Sequence, residues 1–514
     1  MLRVLLWSAV LASGCGSAAP RPPPADAGTA GTGGGTAAAG GAGGGGVGGG
    51  VQSAGGGAQD PAELAPRRWP DVPSVTHDVD TDLAKVLERA ALENACAQVS
   101  AGATDPATRL RCGKWMFFNE TFGTVGVPTT LLDFNQKHFA DTFFGRGFER
   151  LGFVMNPDSA KGHPIGLSPT TGKLGSVETT AFTCASCHFG RLPDGRFAVG
   201  YANTKLQYGL FLVTLGAPLS LSFNANDPEV APAVRMMLAT PVATAKMKMG
   251  YTAEAGLVGL SLLGAGSGPG LSVAEQEKFL ALHPGTMDFL TKPLLDDGVW
   301  TVSRIISLWN LPDAAQRASA GMPHERLSWN GGVQSLEDFL GGFVAIGVGA
   351  GSWTPERLAP LAEYVRSLRA PPNLSPASAA EVRDGARLFV TKGCLDCHSG
   401  PSGESARVFT FAEVGTDAVY GTIYNPGADG KPCCGLGGDA SNVTRGVKAP
   451  RMNGLFSQKR LLHNGAVDGL DALFCRVPRK NGGVYAQSDV GHTMTCDGLT
   501  EDEKAKLIAY LESL

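Results

Sequence analysis

The sequence predicts a mainly α-helical protein of two domains, each built around one C-x-x-C-H motif, behind a glycine-rich N-terminal tether. Three observations predict it. Helix start signals followed by apolar stripes recur along the chain, while strand-like alternation is scarce. The stretch TCASCHFG from Thr183 returns in kind as GCLDCHSG from Gly393. Residues 16 to about 58 are nearly all Gly, Ala, Pro, Ser and Thr, too poor in large apolar side chains to order themselves.

In chain order, residues 1–14 read as an export signal. MLRVLLWSAVLASG has one arginine, then an apolar stretch from Val4 to Ala12 too short to span a bilayer, then small residues. ASGC resembles a lipoprotein cleavage site, so Cys15 is expected to carry lipid. Residues 15–62 form a disordered, flexible linker between that lipid and the globular body. The first domain covers 63–370. Within it PTTLLDFNQKHFADTFF and SVAEQEKFLALH are helical in pattern, and TPERLAPLAEYVRSL is a helix with Thr354 as N-cap and Pro355 at its first position. This domain is enlarged by insertions, with more sequence than one motif needs, which leaves room to build a pocket. The linker APPNLSP leads to the second domain, 379–514. A helix capped by Ser375, with Pro376 in its first turn, is expected to run into the second motif with Val382, Ala386 and Phe389 on one face. The chain closes on GLTEDEKAKLIAYLESL, where Thr500 and Glu503 set a capping box and Leu507, Tyr510, Leu511 and Leu514 a stripe. No internal repeat shows beyond the two motifs, whose flanks differ. The glycine runs from Gly264 and Gly347 read as a loop and a turn.

C-x-x-C-H is the attachment sequence of c-type haem. Two thiols reach the two vinyl groups of one porphyrin, and the next imidazole reaches its iron. The motifs therefore predict two covalently bound c-type haems: Cys184 and Cys187 with His188 on the first iron, Cys394 and Cys397 with His398 on the second. A zinc ribbon needs its cysteine pairs close in sequence, and a redox C-x-x-C sits in a βαβ pattern; neither applies here. Of the eleven cysteines, Cys96, Cys112, Cys433, Cys434, Cys475 and Cys496 remain to form disulfides in an exported chain. Cys96 and Cys112 pair by proximity; the other four allow three pairings. The formal net charge of −4, without a long basic run, suggests no nucleic-acid partner. Membrane contact is expected only through the lipid.

Four segments carry a family resemblance: GHPIGLS with TCASCHFGRLPDGRFAVGYAN; SLWNLPDAAQRASAGMPHERLSWNGGVQSLEDFLGGFVAIGVGAG; KAPRMNGLFSQKRLLHNGAVDGLDALF; and GHTMTCDGLTEDEKAKLIAYLESL. Over roughly residues 115–514 the chain resembles the dihaem c-type cytochromes related to RoxA-type rubber oxygenases, and shares a His-x-Gly turn with the bacterial dihaem cytochrome c peroxidases and MauG. Here Trp329-Asn330-Gly331 stands where that family has Trp-Asp-Gly. The resemblance implies His492 as second axial ligand of the second haem; Met494 is the competing ligand. It also implies Trp309, rather than Trp300, as the aromatic between the haems. His463 is expected to order its loop or a haem propionate. The peroxidases place a distal histidine soon after the first motif, whereas here the next is His283, so the first haem is expected to be open.

The chain is thus expected to be an exported haem-dependent oxidoreductase in the periplasm or cell envelope, lipid-anchored to the outer membrane. Its first haem would meet dioxygen or hydrogen peroxide and its second would move electrons. The electron donor or apolar substrate is unspecified. The alternative is a dihaem electron carrier without catalysis.

Overall fold

A computed structural model describes most of residues 59–211, 303–416 and 446–514, together with residues 286–287. The export signal, Cys15, most of the tether, His283, Trp300, Cys433 and Cys434 lie outside the described residues, as do SVAEQEKFLALH and both glycine runs.

Helices outweigh strands among the described residues. The helices that position the motifs are α1 (Ala95–Ser100), α2 (Pro106–Asn119), α3 (Thr129–His138), α4 (Cys184–His188), α5 (Leu336–Ile346), α6 (Pro355–Ser367), α7 (Ala379–Thr391) and α8 (Glu501–Glu512). The strands are β1 (Val79–Asp80), β2 (Val127–Pro128), β3 (Leu167–Pro169), β4 (Thr179–Phe182), β5 (Phe189–Arg191), β6 (Phe197–Val199), β7 (Thr286–Met287), β8 (Ser303–Arg304), β9 (Arg460–Leu461) and β10 (Val467–Asp468). They form small antiparallel sheets, ordered β1-β6-β5, β2-β4-β3, β7-β8 and β9-β10. In the first, Phe189 lies opposite Val199 and Val79 opposite Ala198; in the second, Leu167 lies opposite Phe182. These two sheets bracket the first motif.

The unit Pro61–Leu514 holds both motifs and contains two large apolar clusters. The first is centred on α2 and α6, the second on α7 and α8. Each pair crosses at a glycine. A Cβ on Gly113 of α2 would strike the Pro360 carbonyl of α6, and a Cβ on Gly385 of α7 would strike the Lys506 carbonyl of α8. Four residues on from each glycine is a buried phenylalanine, Phe117 or Phe389, set against a tyrosine of the crossing helix. Phe117 and Tyr364 have ring centres 5.9 Å apart; Phe389 and Tyr510 are at 5.3 Å. Both tyrosine hydroxyls donate hydrogen bonds, Tyr364 to Asp78 at 2.7 Å and Tyr510 to the Pro66 carbonyl at 2.6 Å. The first pair meets edge to face and the second is tilted, and such aromatic contacts add to the burial they accompany.

The two crossings thus resemble one another. LAEYVRSL from Leu361 matches LIAYLESL from Leu507 at leucine, tyrosine, serine and final leucine. The match is short and the two glycine helices stand at very different distances from their motifs, so a search along the chain passes over it.

Caps explain most helix boundaries. Asp105 accepts from the Thr108 N–H at 2.8 Å, with Pro106 opening α2. Thr354 caps α6, and Thr500 and Glu503 cap α8 reciprocally, as expected. The expectation at Ser375 is corrected. Ser378 caps α7, because Glu381 three residues on returns its carboxylate to the Ser378 N–H at 3.0 Å and closes both bonds of the box.

Candidate functional site

The first motif folds as α4, between β4 and β5. Its backbone is held on three sides. Ser186 donates its hydroxyl to the Gly166 carbonyl at 2.5 Å, Asn203 N–H donates to the Cys187 carbonyl at 2.9 Å, and Gly200 N–H to the His188 carbonyl at 2.7 Å. Gly166, at φ +95°, lets the chain approach so closely that a side chain there would meet the Ser186 backbone. Burial pushes the Cys184 and Cys187 thiols up to about 12. Such thiols stay protonated at neutral pH and are poor redox nucleophiles. Burial, reinforced by Arg451, pulls the His188 imidazole down to about 4, and its Nδ1 is buried without a hydrogen-bond partner.

The second motif begins where α7 ends at Gly393, φ +80°, and Cys394–Asp396 makes a single tight turn. Burial raises Cys394 to about 11 and raises Cys397 too. The His398 Nδ1 lies 2.6 Å from the Gly403 carbonyl. That bond fixes the tautomer and leaves Nε2 free to ligate, the arrangement by which metal-bound imidazoles are oriented.

Facing His398 is His492, with ring centres 6.3 Å apart and planes at 66°. Two imidazoles on opposite faces of one metal put their centres about 6 Å apart, given metal–nitrogen bonds of about 2 Å. His492 is placed by a loop closed at both ends. Cys475 and Cys496 form a disulfide, and Arg479 donates to the Asp489 and Gly491 carbonyls at 2.8 Å each. The Val414 carbonyl accepts from the His492 N–H at 3.1 Å. Burial, then the neighbouring His398 and Arg479, pull the His492 imidazole down to about 4. Met494, two residues away, is 55% exposed. His188 has no facing imidazole among the described residues.

These residues fit a haem at each motif. Cys184, Cys187, Cys394 and Cys397 stand outside the disulfides, whereas Cys96 pairs with Cys112 and Cys475 with Cys496. Among the described residues, no group of three His, Cys, Asp or Glu side chains could hold a bare metal ion. A porphyrin would supply the remaining ligands of an iron at His188, or of one between His398 and His492.

Trp309 lies between the two motifs. It is fully buried and donates its Nε1–H to the Val199 carbonyl at 2.7 Å. It stacks on Tyr201 at 6.0 Å and abuts Gly200, whose N–H binds the His188 carbonyl. On its other side the Asn310 carbonyl accepts from the Ser402 hydroxyl at 2.8 Å, next to the Gly403 that holds His398. His463 is buried, and its carbonyl accepts from the Arg304 N–H at 2.7 Å. Two contributors escaped sequence reasoning. Gly403 acts through its carbonyl, which no residue type signals, and Arg451 lies far along the chain from the histidine it influences.

No family model and no curated protein matches this chain. Among solved structures, a chain of Kuenenia stuttgartiensis hydrazine synthase pressurized with 20 bar xenon is similar at 17% identity. That likeness covers 45% of this chain and 77% of the other, at a TM-score of 0.25, too slight to bear on either site.

Proposed function

We propose that the protein is an exported dihaem c-type oxidoreductase, tethered by lipid at Cys15, with an open first haem and a closed second one. The reading rests above all on the His398–His492 pair, set ring to ring beside a free C-x-x-C pair. The paired helix crossings support it, since each brackets one motif in sequence. Bound haem would supply one-electron chemistry and, where a coordination position is left open, reactivity toward dioxygen or hydrogen peroxide.

The chain's own residues divide this labour. Cys184 and Cys187 anchor one haem and Cys394 and Cys397 the other. His188 offers one imidazole; burial keeps it neutral and able to ligate. His398 and His492 offer two, oriented by the Gly403 carbonyl and by the closed loop, which suits a site that passes electrons without binding substrate. Trp309 packs between the motifs, buried and hydrogen-bonded, where it would shorten the gap an electron has to cross. The resemblance to RoxA-type oxygenases favours an oxygenase acting on an apolar substrate over a peroxidase.

Intact mass spectrometry of the mature chain tests the assignment. Two haem masses should survive denaturation, one lost on Cys184→Ala with Cys187→Ala and the other on Cys394→Ala with Cys397→Ala. A diacylglyceryl mass should sit on Cys15. A native chain without covalent haem refutes the proposal. Carbon monoxide binding to neither reduced haem would leave only an electron carrier.

A further inference from the structure

Between the two motifs lies a group of buried charges that the haem ligands do not use. Lys448 and Arg451 come from the segment entering the second apolar cluster, and Arg304 from β8; Lys448 and Arg304 are buried and Arg451 is half-buried. Arg451 donates to the Trp309 and Ser307 carbonyls at 3.0 and 2.7 Å. Lys448 makes no hydrogen bond or close ion pair through its ammonium with any described residue. Its backbone N–H donates to the Trp329 carbonyl at 2.8 Å, and the Arg304 guanidinium lies over the Trp329 ring, 5.0 Å from its centre. Arg304 Nε has no hydrogen-bond partner, although Nη1 donates to the Arg460 carbonyl at 2.5 Å.

The nearby anion is Glu404, itself buried, whose Oε1 is unpartnered and whose Oε2 accepts from the Ser402 N–H at 2.9 Å. Glu325 also acts on Arg451, but it is already paired with Arg317 and Arg366. Three cations, two of them buried and one half-buried, against one carboxylate leave a formal excess of two positive charges. Burying unpaired charge is unfavourable, and an anion set among these cations relieves it. Burial, more than any neighbour, pulls the Lys448 ammonium down to about 7, which shows how poorly the protein by itself sustains that charge.

We propose that Lys448, Arg451 and Arg304 form the seat for the two propionate carboxylates of the haem attached at Cys184 and Cys187. This rests on the haem reading above and adds to it the residues that orient the first porphyrin. Two carboxylates match the excess of two charges. Arg451 holds the Trp309 carbonyl, and Trp309 abuts Gly200, whose N–H binds the His188 carbonyl, so the porphyrin edge that carries carboxylates would lie toward Trp309 and the second motif.

The test uses the full dihaem chain with Lys448→Gln, Arg451→Gln and the charge-keeping Lys448→Arg. Removing a cation beside a haem favours ferric iron, so both Gln variants should lower the midpoint potential of the carbon-monoxide-binding haem. They should also shift its propionate bending band in the resonance Raman spectrum. Lys448→Arg should leave both near wild type. If Gln variants that retain two haems change neither readout, the proposal is overturned while the haem assignment stands. A chain without covalent haem overturns that assignment instead. Formate or phosphate titrated into the wild type separates the other source. A spectral response lost in Lys448→Gln, with the propionate band unmoved, would assign the seat to a free anion and overturn the proposal. If a Gln variant does not fold, Arg451→Lys, which keeps the charge but loses the two-carbonyl fork, should still displace the propionate band.

Discussion

His492 holds its backbone at φ +55°, a left-handed conformation that side chains rarely adopt and that costs on the order of 1 kcal/mol. The chain maintains it with a disulfide, an arginine fork from Arg479 and the Val414 carbonyl, and the outcome is an imidazole facing His398. Strain kept up by that many restraints points to use. If His492 closes the second iron, His492→Ala should convert one low-spin ferric haem to high spin in the electron paramagnetic resonance spectrum. The reduced variant should bind one more equivalent of carbon monoxide than the wild type. Met494, exposed as it is, should be replaceable by Ala without either change. The spin change appearing in Met494→Ala instead would sink the ligand assignment. At this scale the sequence was most legible where the chemistry is local. Two thiols and an imidazole within five residues announce themselves. A carbonyl at Gly403 and a guanidinium at Arg451 do not, because their roles exist only once distant segments meet.

Helices were legible through their caps and stripes, with a slip of three residues where Ser375 and Ser378 compete and the Glu381 partner decides. Their pairing was not legible, because a crossing is set by what a glycine lets in and not by any property of the glycine itself. This makes the crossings testable. Gly385→Ala places a methyl group against the Lys506 backbone, which has no flexible end to yield, and should cost about 1–3 kcal/mol as overpacked sites do. Gly113→Ala should behave alike against Pro360. Gly341 supplies the contrast. It lies in α5, a methyl group added there would meet nothing within 4 Å, and its φ is not positive. Gly341→Ala should therefore raise stability by up to about 1 kcal/mol through helix propensity. Melting followed by far-ultraviolet circular dichroism reads all three. A Gly385→Ala protein that melts with the wild type would mean the crossing is looser than its geometry implies.

At the scale of the whole molecule, the predominance of helices over strands was legible, and so were the helix entering the second motif and the C-terminal helix that crosses it. The two clusters close over very different lengths of chain. Gly113 and Tyr364 stand 251 residues apart, Gly385 and Tyr510 only 125. Doubling a flexible loop adds about 0.6 kcal/mol of closure entropy and slows closing roughly threefold. The shorter circuit should therefore form first. In pulsed hydrogen exchange during refolding, amides of α7 and α8 should gain protection before those of α2 and α6, and the reverse order would refute this. The same small increment has an evolutionary side. A circuit already that long can lengthen by tens of residues for a few tenths of a kcal/mol, so the first half is where new sequence, and with it a new substrate, enters at least thermodynamic expense.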